Sequence, residues 1–157
     1  MQAMADDLRE IKAVKYRYLR ALDTKDWDTF ADTLTDDVVG NYGSAPDGNP
    51  LRFYDRNSLV AYMRTALPRE VITEHRVAHP ELSVDGDEAT GRWYLQDRVI
   101  VAGADFMLIG AEFYADTYRR TPAGWKISAT GYDRTYEATM STAGLGFHLT
   151  PGPALHE

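Results

Sequence analysis

The chain contains no cysteine. That excludes disulfides, thiolate nucleophiles and cysteine-ligated zinc. It also lacks any excess of basic residues: 17 Lys and Arg stand against 24 Asp and Glu, for a net charge of −7. Nucleic acid is therefore not an expected partner, because neutralising phosphates needs a basic surface. No apolar run approaches the roughly 20 residues that cross a bilayer, so no membrane span is expected. The opening MQAMADDLRE lacks a basic stretch followed by an apolar one, so no secretory leader is expected and the cytoplasm is the expected location. Repeats, low-complexity segments and linkers are missing as well. His75 and His79 are four apart, but on a strand rather than a helix, so they do not form the helical metal-binding pattern. No metal and no cofactor are expected.

What remains is ordinary for a soluble globular chain: 44% apolar and 26% charged residues over 157 positions. That length predicts one domain over 1–157, with a core at about 6–137 and room for an internal pocket but not for a second domain. Ten Tyr and three Trp are available to line such a pocket with apolar faces and polar tips.

Periodicity divides the chain. Leu8, Ile11, Val14, Tyr18 and Leu22 recur at helical spacing, predicting a helix from about Asp6 to Leu22. Asp26 is placed to cap a second helix carrying Trp27, Phe30, Ala31 and Leu34. Strand signals follow at 38–42, then a loop at 44–50 with Pro46, Gly48 and Pro50, then a short strand at 51–54. Asp55 or Asn57 caps a third helix that Pro68 stops. Beyond Pro68 the period becomes alternating, predicting strands at about 71–84, 88–102, 105–120 and 124–137, joined by turns rich in Gly and Asp. Helices first and a long meander last predict an α+β fold, with a curved, mostly antiparallel sheet wrapped around the N-terminal helices as a cone. The tail at 138–157 is glycine- and proline-rich. Leu145, Phe147 and Leu149 alternate within it, so it either adds a strand, covers the pocket or reaches a neighbouring subunit.

The first hairpin of the meander carries chemistry. With Gly86-Asp87 at the turn, Val84 faces Ala89 and Leu82 faces Gly91. Upstream the alternation changes phase at Pro80, which has no N–H for the ladder and favours a bulge. One extra residue there sets His79 opposite Trp93, Val77 opposite Leu95 and His75 opposite Asp97. Opposed residues have Cβ atoms about 5 Å apart. A hydrogen bond from His75 to Asp97 is expected, with the carboxylate fixing the imidazole tautomer on an otherwise apolar face. A carboxylate-oriented His in an apolar cavity suits general-base catalysis. Tyr18 lies on the apolar stripe of the first helix and serves either as a core phenol or as a donor to a substrate oxygen. Asp23 lies five residues further, about 140° around an ideal helix, so it shares that face only if the helix ends near Leu22. A carboxylate at a helix C-terminus opposes the dipole, which favours a role for it. Arg134, between Tyr132 and Tyr136, either pairs with a carboxylate of the site or faces solvent.

Several stretches together resemble a known family: Tyr18-Leu-Arg-Ala-Leu-Asp23 with Lys25-Asp-Trp27-Asp, Thr73-Glu-His75, His79-Pro-Glu81-Leu, Gly91-Arg-Trp-Tyr-Leu-Gln-Asp97 and Gly131-Tyr-Asp-Arg134-Thr-Tyr136. The chain is similar over about residues 8–137 to SnoaL-like proteins of the nuclear-transport-factor-2-like superfamily. Within it the nearest likeness is to bile-acid 7α-dehydratases, with scytalone dehydratases more distant. The resemblance implies a cone-shaped, cystatin-like α+β barrel with an apolar pocket, assembled as a homo-oligomer, a trimer before a dimer. It implies catalytic roles for Tyr18, Asp23, His75, Asp97 and Arg134. It implies a cofactor-independent dehydratase acting on a hydroxylated, carbonyl-bearing cyclic molecule, steroid-like or polyketide-like. An isomerase or a polyketide cyclase uses similar parts. A non-catalytic binding protein or an oxygenase small subunit is the reading from another class. Departures are visible: Ala78 stands where the dehydratases carry a second histidine, and the loop at 43–52 and the tail after 137 also differ.

Overall fold

A computed structural model describes residues 1–45 and 47–156. Pro46, in the loop expected at 44–50, and Glu157, the end of the expected irregular tail, lie outside the described residues. Helix α1 runs Gln2–Thr24 and α2 runs Trp27–Asp32. Strands β1 (Leu34–Ser44) and β2 (Pro50–Phe53) precede α3 (Arg56–Ala66). The meander follows as β3 (Val71–Asp85), β4 (Glu88–Val101), β5 (Phe106–Thr121) and β6 (Gly124–Ser141), with a short 3-10 turn at Ala102–Ala104.

The caps explain the helix starts. The Asp26 side chain accepts from the Thr29 N–H at 3.1 Å, and Asp55, rather than Asn57, accepts from Ser58 at 2.8 Å. Lys25 ends α1 in the left-handed region at φ 63°, where its N–H reaches back to the last carbonyls of the helix. Helix α1 begins four residues before the expected start at Asp6, because its first turn is exposed and needs no apolar face.

The strands form one sheet in the order β2-β1-β6-β5-β4-β3, antiparallel except for the β1–β6 pair. It curves around α1 without closing, so β2 and β3 are edges. Helix α1 lies against β3 and β6, and its Ile11, Val14, Tyr18, Leu19 and Leu22 share one core with Trp93 and Leu95 of β4, Tyr114 and Tyr118 of β5 and Ile127 of β6. Among the described residues, no helix is long and apolar enough to cross a membrane.

The bulge in β3 lies where Pro80 demands it. Ala78 pairs with Tyr94 and Glu81 with Arg92, so two residues, His79 and Pro80, oppose Trp93 alone. His79 takes a left-handed φ of 50° and is exposed. Its expected place on the inner face opposite Trp93 is therefore corrected: the residue is part of the bulge itself. The tail expected at 138–157 is corrected at its start, where β6 runs on to Ser141, and residues 142–156 contain no strand. The His156 N–H instead donates to the Thr24 carbonyl at 2.8 Å, and Arg69 donates to the carbonyls of Leu155 and His156. The chain end is thus tied to the end of α1 and the start of β3.

The centre of the core is polar. Lys15 and Asp116 form an ion pair at 2.8 Å with no exposed side-chain surface on either partner. Asp116 also accepts from the hydroxyls of Tyr118 (2.8 Å) and Thr130 (2.7 Å), and Tyr118 accepts from the Trp93 indole N–H at 2.9 Å. The Lys15 ammonium sits 3.2 Å from the centre of the Tyr114 ring.

Candidate active site

Edge strand β3 and the last turn of α1 meet at Asp23. One of its oxygens accepts from the Thr73 hydroxyl at 2.8 Å and contacts His75 Nδ1 at 2.6 Å. The other accepts from the His75 backbone N–H at 2.9 Å. An ionised carboxylate only accepts, so Nδ1 is a protonated nitrogen, and in the neutral ring the lone pair lies on Nε2. These donors compensate a carboxylate that the helix dipole alone would disfavour. The His75 side chain is 12% exposed and that of Asp23 22%, so both are partly shielded yet reachable.

The predicted register holds: His75 pairs with Asp97 and Val77 with Leu95. The predicted hydrogen bond does not. The His75 N–H points off the sheet edge to Asp23, which marks 75/97 as a non-hydrogen-bonded pair, Cα atoms about 4.5 Å apart. The imidazole turns the same way. Asp23 therefore orients His75, and the expected role of Asp97 as its partner is corrected. Tyr18 and Asp23 do not need to share a face, because β3 lies beside the helix end while Tyr18 enters the core.

Asp97 has a different partner. Both its oxygens accept from Arg134, at 3.2 and 3.0 Å. Arg134 also meets Glu112 at 2.6 Å and Glu137 at 3.1 Å. Of the two readings of Arg134, the structure has the ion pair. Burial alone would lower its pKa, but the hydrogen bond and charge of Asp97, together with Glu112, raise it. Glu112 behaves oppositely: burial first and the charge of Asp97 second push it up to about 7, against the pull of Arg134.

The fork between Arg134 and Asp97 exists because residue 110, opposite Asp97, has no side chain. A Cβ on Gly110 would fall 2.6 Å from an Asp97 oxygen and closer still to the Arg134 guanidinium. Gly110→Ala is expected to part the pair and cost about 1–3 kcal/mol in urea unfolding, the penalty for stranding buried polar groups. Unchanged stability would show that the pair tolerates displacement.

Tyr18 has no exposed surface, and its hydroxyl lies 2.6 Å from that of Tyr42. Burial raises its pKa, partly offset by Tyr42, so the phenol stays neutral and keeps a proton to donate. Tyr114 and Tyr132 complete a cluster of rings, with centroids 5.7 Å apart, and Arg134 lies 5.4 Å over Tyr132. Tyr132 thus joins the hydroxyl cluster to the charged one. The Lys25 amine is buried near Asp23 without a hydrogen-bond partner among the described residues, and burial lowers its pKa. Among the described residues, no group of three or more His, Asp or Glu side chains is arranged to hold a metal.

Residue-by-residue reading of the sequence missed Glu112, Tyr42 and Lys15. The signal for Glu112 was present: Glu112, Tyr114, Asp116 and Tyr118 alternate with exposed Phe113, Ala115 and Thr117 in the inward phase of β5.

The same fold occurs in solved structures. A protein from Novosphingobium aromaticivorans described as nuclear-transport-factor-2-like with a cystatin-like fold matches with a TM-score of 0.70 at 22% identity, over 85% of each chain. One provisionally called a scytalone dehydratase, from the same organism, matches at 0.76 and 17% identity, over 95% of this chain and 93% of that one. A hexachlorocyclohexane dehydrochlorinase from Novosphingobium barchaimii matches at 0.74 and 15%, over 96% and 97%. At these identities the likeness establishes the fold. The family itself is settled by a sequence model, that of the SnoaL-like domain, which matches residues 3–131 and so covers most of the chain together with Tyr18, Asp23, His75 and Asp97. The chain belongs to the SnoaL-like domain family.

Proposed function

We propose that the protein is a cofactor-independent lyase that eliminates water from a hydroxylated, carbonyl-bearing cyclic apolar substrate. The observation that carries this reading is the 2.6 Å contact between His75 Nδ1 and Asp23, which leaves Nε2 as a base of fixed tautomer. Nε2 removes the acidic C–H proton beside the carbonyl. The developing enolate oxygen takes a hydrogen bond from the Tyr18–Tyr42 hydroxyl pair, whose burial strengthens it. Arg134, with its carboxylates, faces the departing hydroxyl. Two of the structural neighbours carry names that denote eliminations, dehydration and dehydrochlorination, and any such elimination must remove a C–H proton.

The test is product mass. Hydroxylated cyclic ketones of steroid and polyketide type are incubated with the purified protein, and a product lighter by one water supports the lyase. A product of unchanged mass assigns the same base to an isomerase or cyclase. Tight binding without any product assigns the protein to the carriers.

We also propose that the active form is a homo-oligomer, a trimer or a dimer. Val39, Ile109, Phe113 and Tyr136 stand exposed. Tyr94 packs edge-on against Phe113 on the same side of the sheet, the side away from α1. An exposed apolar face of this kind on a protein's surface marks an interaction site. Light scattering at micromolar concentration is expected to give a multiple of the chain mass, and Phe113→Glu to lower it. A monomeric wild type would remove the proposal.

A further inference from the structure

One guanidinium, that of Arg134, faces three carboxylates. Glu137 is 47% exposed and keeps its charge solvated. The other two are sealed: the Asp97 side chain is 4% exposed and that of Glu112 only 1%. Two sealed carboxylates with one cation between them carry one negative charge too many. Burying an unpaired charge is costly, and paired acids in one site resolve this by sharing a proton.

Geometry decides which of the two holds it. Asp97 gives both oxygens to the guanidinium fork, the arrangement of an ionised carboxylate. Glu112 gives Arg134 only Oε2. We propose that Glu112 Oε1 carries a proton at neutral pH and that this proton is the one handed to the departing hydroxyl. The groups facing Glu112 are Asp97 from β4, Arg134, Glu137 and Tyr132 from β6, and His75 from β3. Burial and Asp97 raise its pKa to about 7, in the direction the geometry requires.

The role in elimination rests on the lyase reading; the proton itself does not. In that reaction the C–H electron pair becomes the new double bond and its proton goes to His75 Nε2. The C–O bond breaks with its pair on oxygen, which takes the Glu112 proton and leaves as water. Transfer from the imidazolium to Glu112 through water resets the site. No oxidant or reductant is needed. Without a donor, hydroxide would have to leave as an anion into a shielded site.

The deciding experiment is infrared difference spectroscopy of the full chain across neutral pH, with and without carbon-13 glutamate. A carboxylic-acid carbonyl band is expected at about pH 6, fading as pH rises through about 7. It should shift with labelled glutamate and vanish in Glu112→Gln. No such band, or a band that shifts only with labelled aspartate, overturns the proposal. Stability gives a second readout. A pKa raised by folding contributes stability that is full below the unfolded value and lost as pH rises through the folded one. Wild-type urea midpoints should therefore fall between about pH 5 and about pH 8, while those of Glu112→Gln, which mimics the neutral acid, fall less. Parallel curves overturn the proposal. If the band is present but no elimination is found, the lyase reading fails and the stored proton stands. If elimination is found without the band, the stored proton fails alone.

Discussion

His75→Ala is expected to lower turnover about 10²-fold or more on any substrate from which the wild type eliminates water, because it deletes the base. Asp23→Asn should lower it by about 10²–10⁴, the range spanned by loss of a general base and by loss of correct tautomer in a serine-protease triad. The reasoning for Asp23 is geometric. An asparagine amide presents one acceptor and one donor where the carboxylate accepts from Thr73, from the His75 N–H and from Nδ1. At least one contact becomes donor against donor, and the ring loses its reason to keep the proton on Nδ1. Asp97→Asn should act differently, since Asp97 has Arg134 and not His75 as partner. It should disturb departure of the hydroxyl more than removal of the proton. A substrate with a good leaving group separates the two: Asp23→Asn stays slow on it, and Asp97→Asn recovers. Circular dichroism of each variant confirms folding. Full activity of a folded His75→Ala variant would remove this residue from the mechanism.

The hairpin shows how far the sequence could be read. Pro80 cannot donate to the ladder, so the bulge and the 75/97 register followed from one residue's covalent structure. Register, however, fixes which Cβ atoms are neighbours and not which way a side chain turns. His75 had two carboxylates within reach, and the choice fell to Asp23 because β3 is an edge strand with N–H groups free to receive one. That depends on how α1 lies against β3, a long-range docking that local periodicity does not encode. The ion pair of Arg134 with Asp97 and Glu112 was left open for a related reason: those two carboxylates come from two other strands. The tail was illegible in kind. Its alternating Leu145, Phe147 and Leu149 suggested a strand, but both turn-forming glycines there adopt positive φ, at Gly144 and Gly146, and the ladder ends at Ser141.

Lys15→Met should destabilise the fold by about 3–5 kcal/mol, the cost of breaking a buried ion pair from one side. Lys15 has no exposed surface, so methionine fits the space of its stem but leaves Asp116 charged beneath α1. The hydroxyls of Tyr118 and Thr130 still donate to Asp116, yet neither supplies a positive charge. The ammonium itself contacts Asp116 as an ion pair off the ideal hydrogen-bond direction and otherwise rests on the Tyr114 ring. Burial lowers the Lys15 pKa, and Asp116 opposes that shift. Desolvation and the attraction of Asp116 therefore act in opposite directions while both partners are present, with desolvation the larger. Removing both charges tests this. The Lys15→Met/Asp116→Asn variant strands no charge; its amide oxygen accepts from one of the two hydroxyls and its amide N–H donates to the oxygen of the other, so its urea midpoint should recover part of the loss seen in Lys15→Met alone. The recovery measures the coupling between the two residues. A double variant that is destabilised by the sum of the two single changes would show that the pair is held apart by packing, with no energetic coupling across its 2.8 Å contact. The pair also lies against the ring of Tyr18, 4.9 Å from the ammonium, whose hydroxyl is the proposed donor to the enolate. A loss of turnover in the double variant that exceeds its loss of stability would show that the core's charge sets the position of the phenol, linking the centre of the fold to its chemistry.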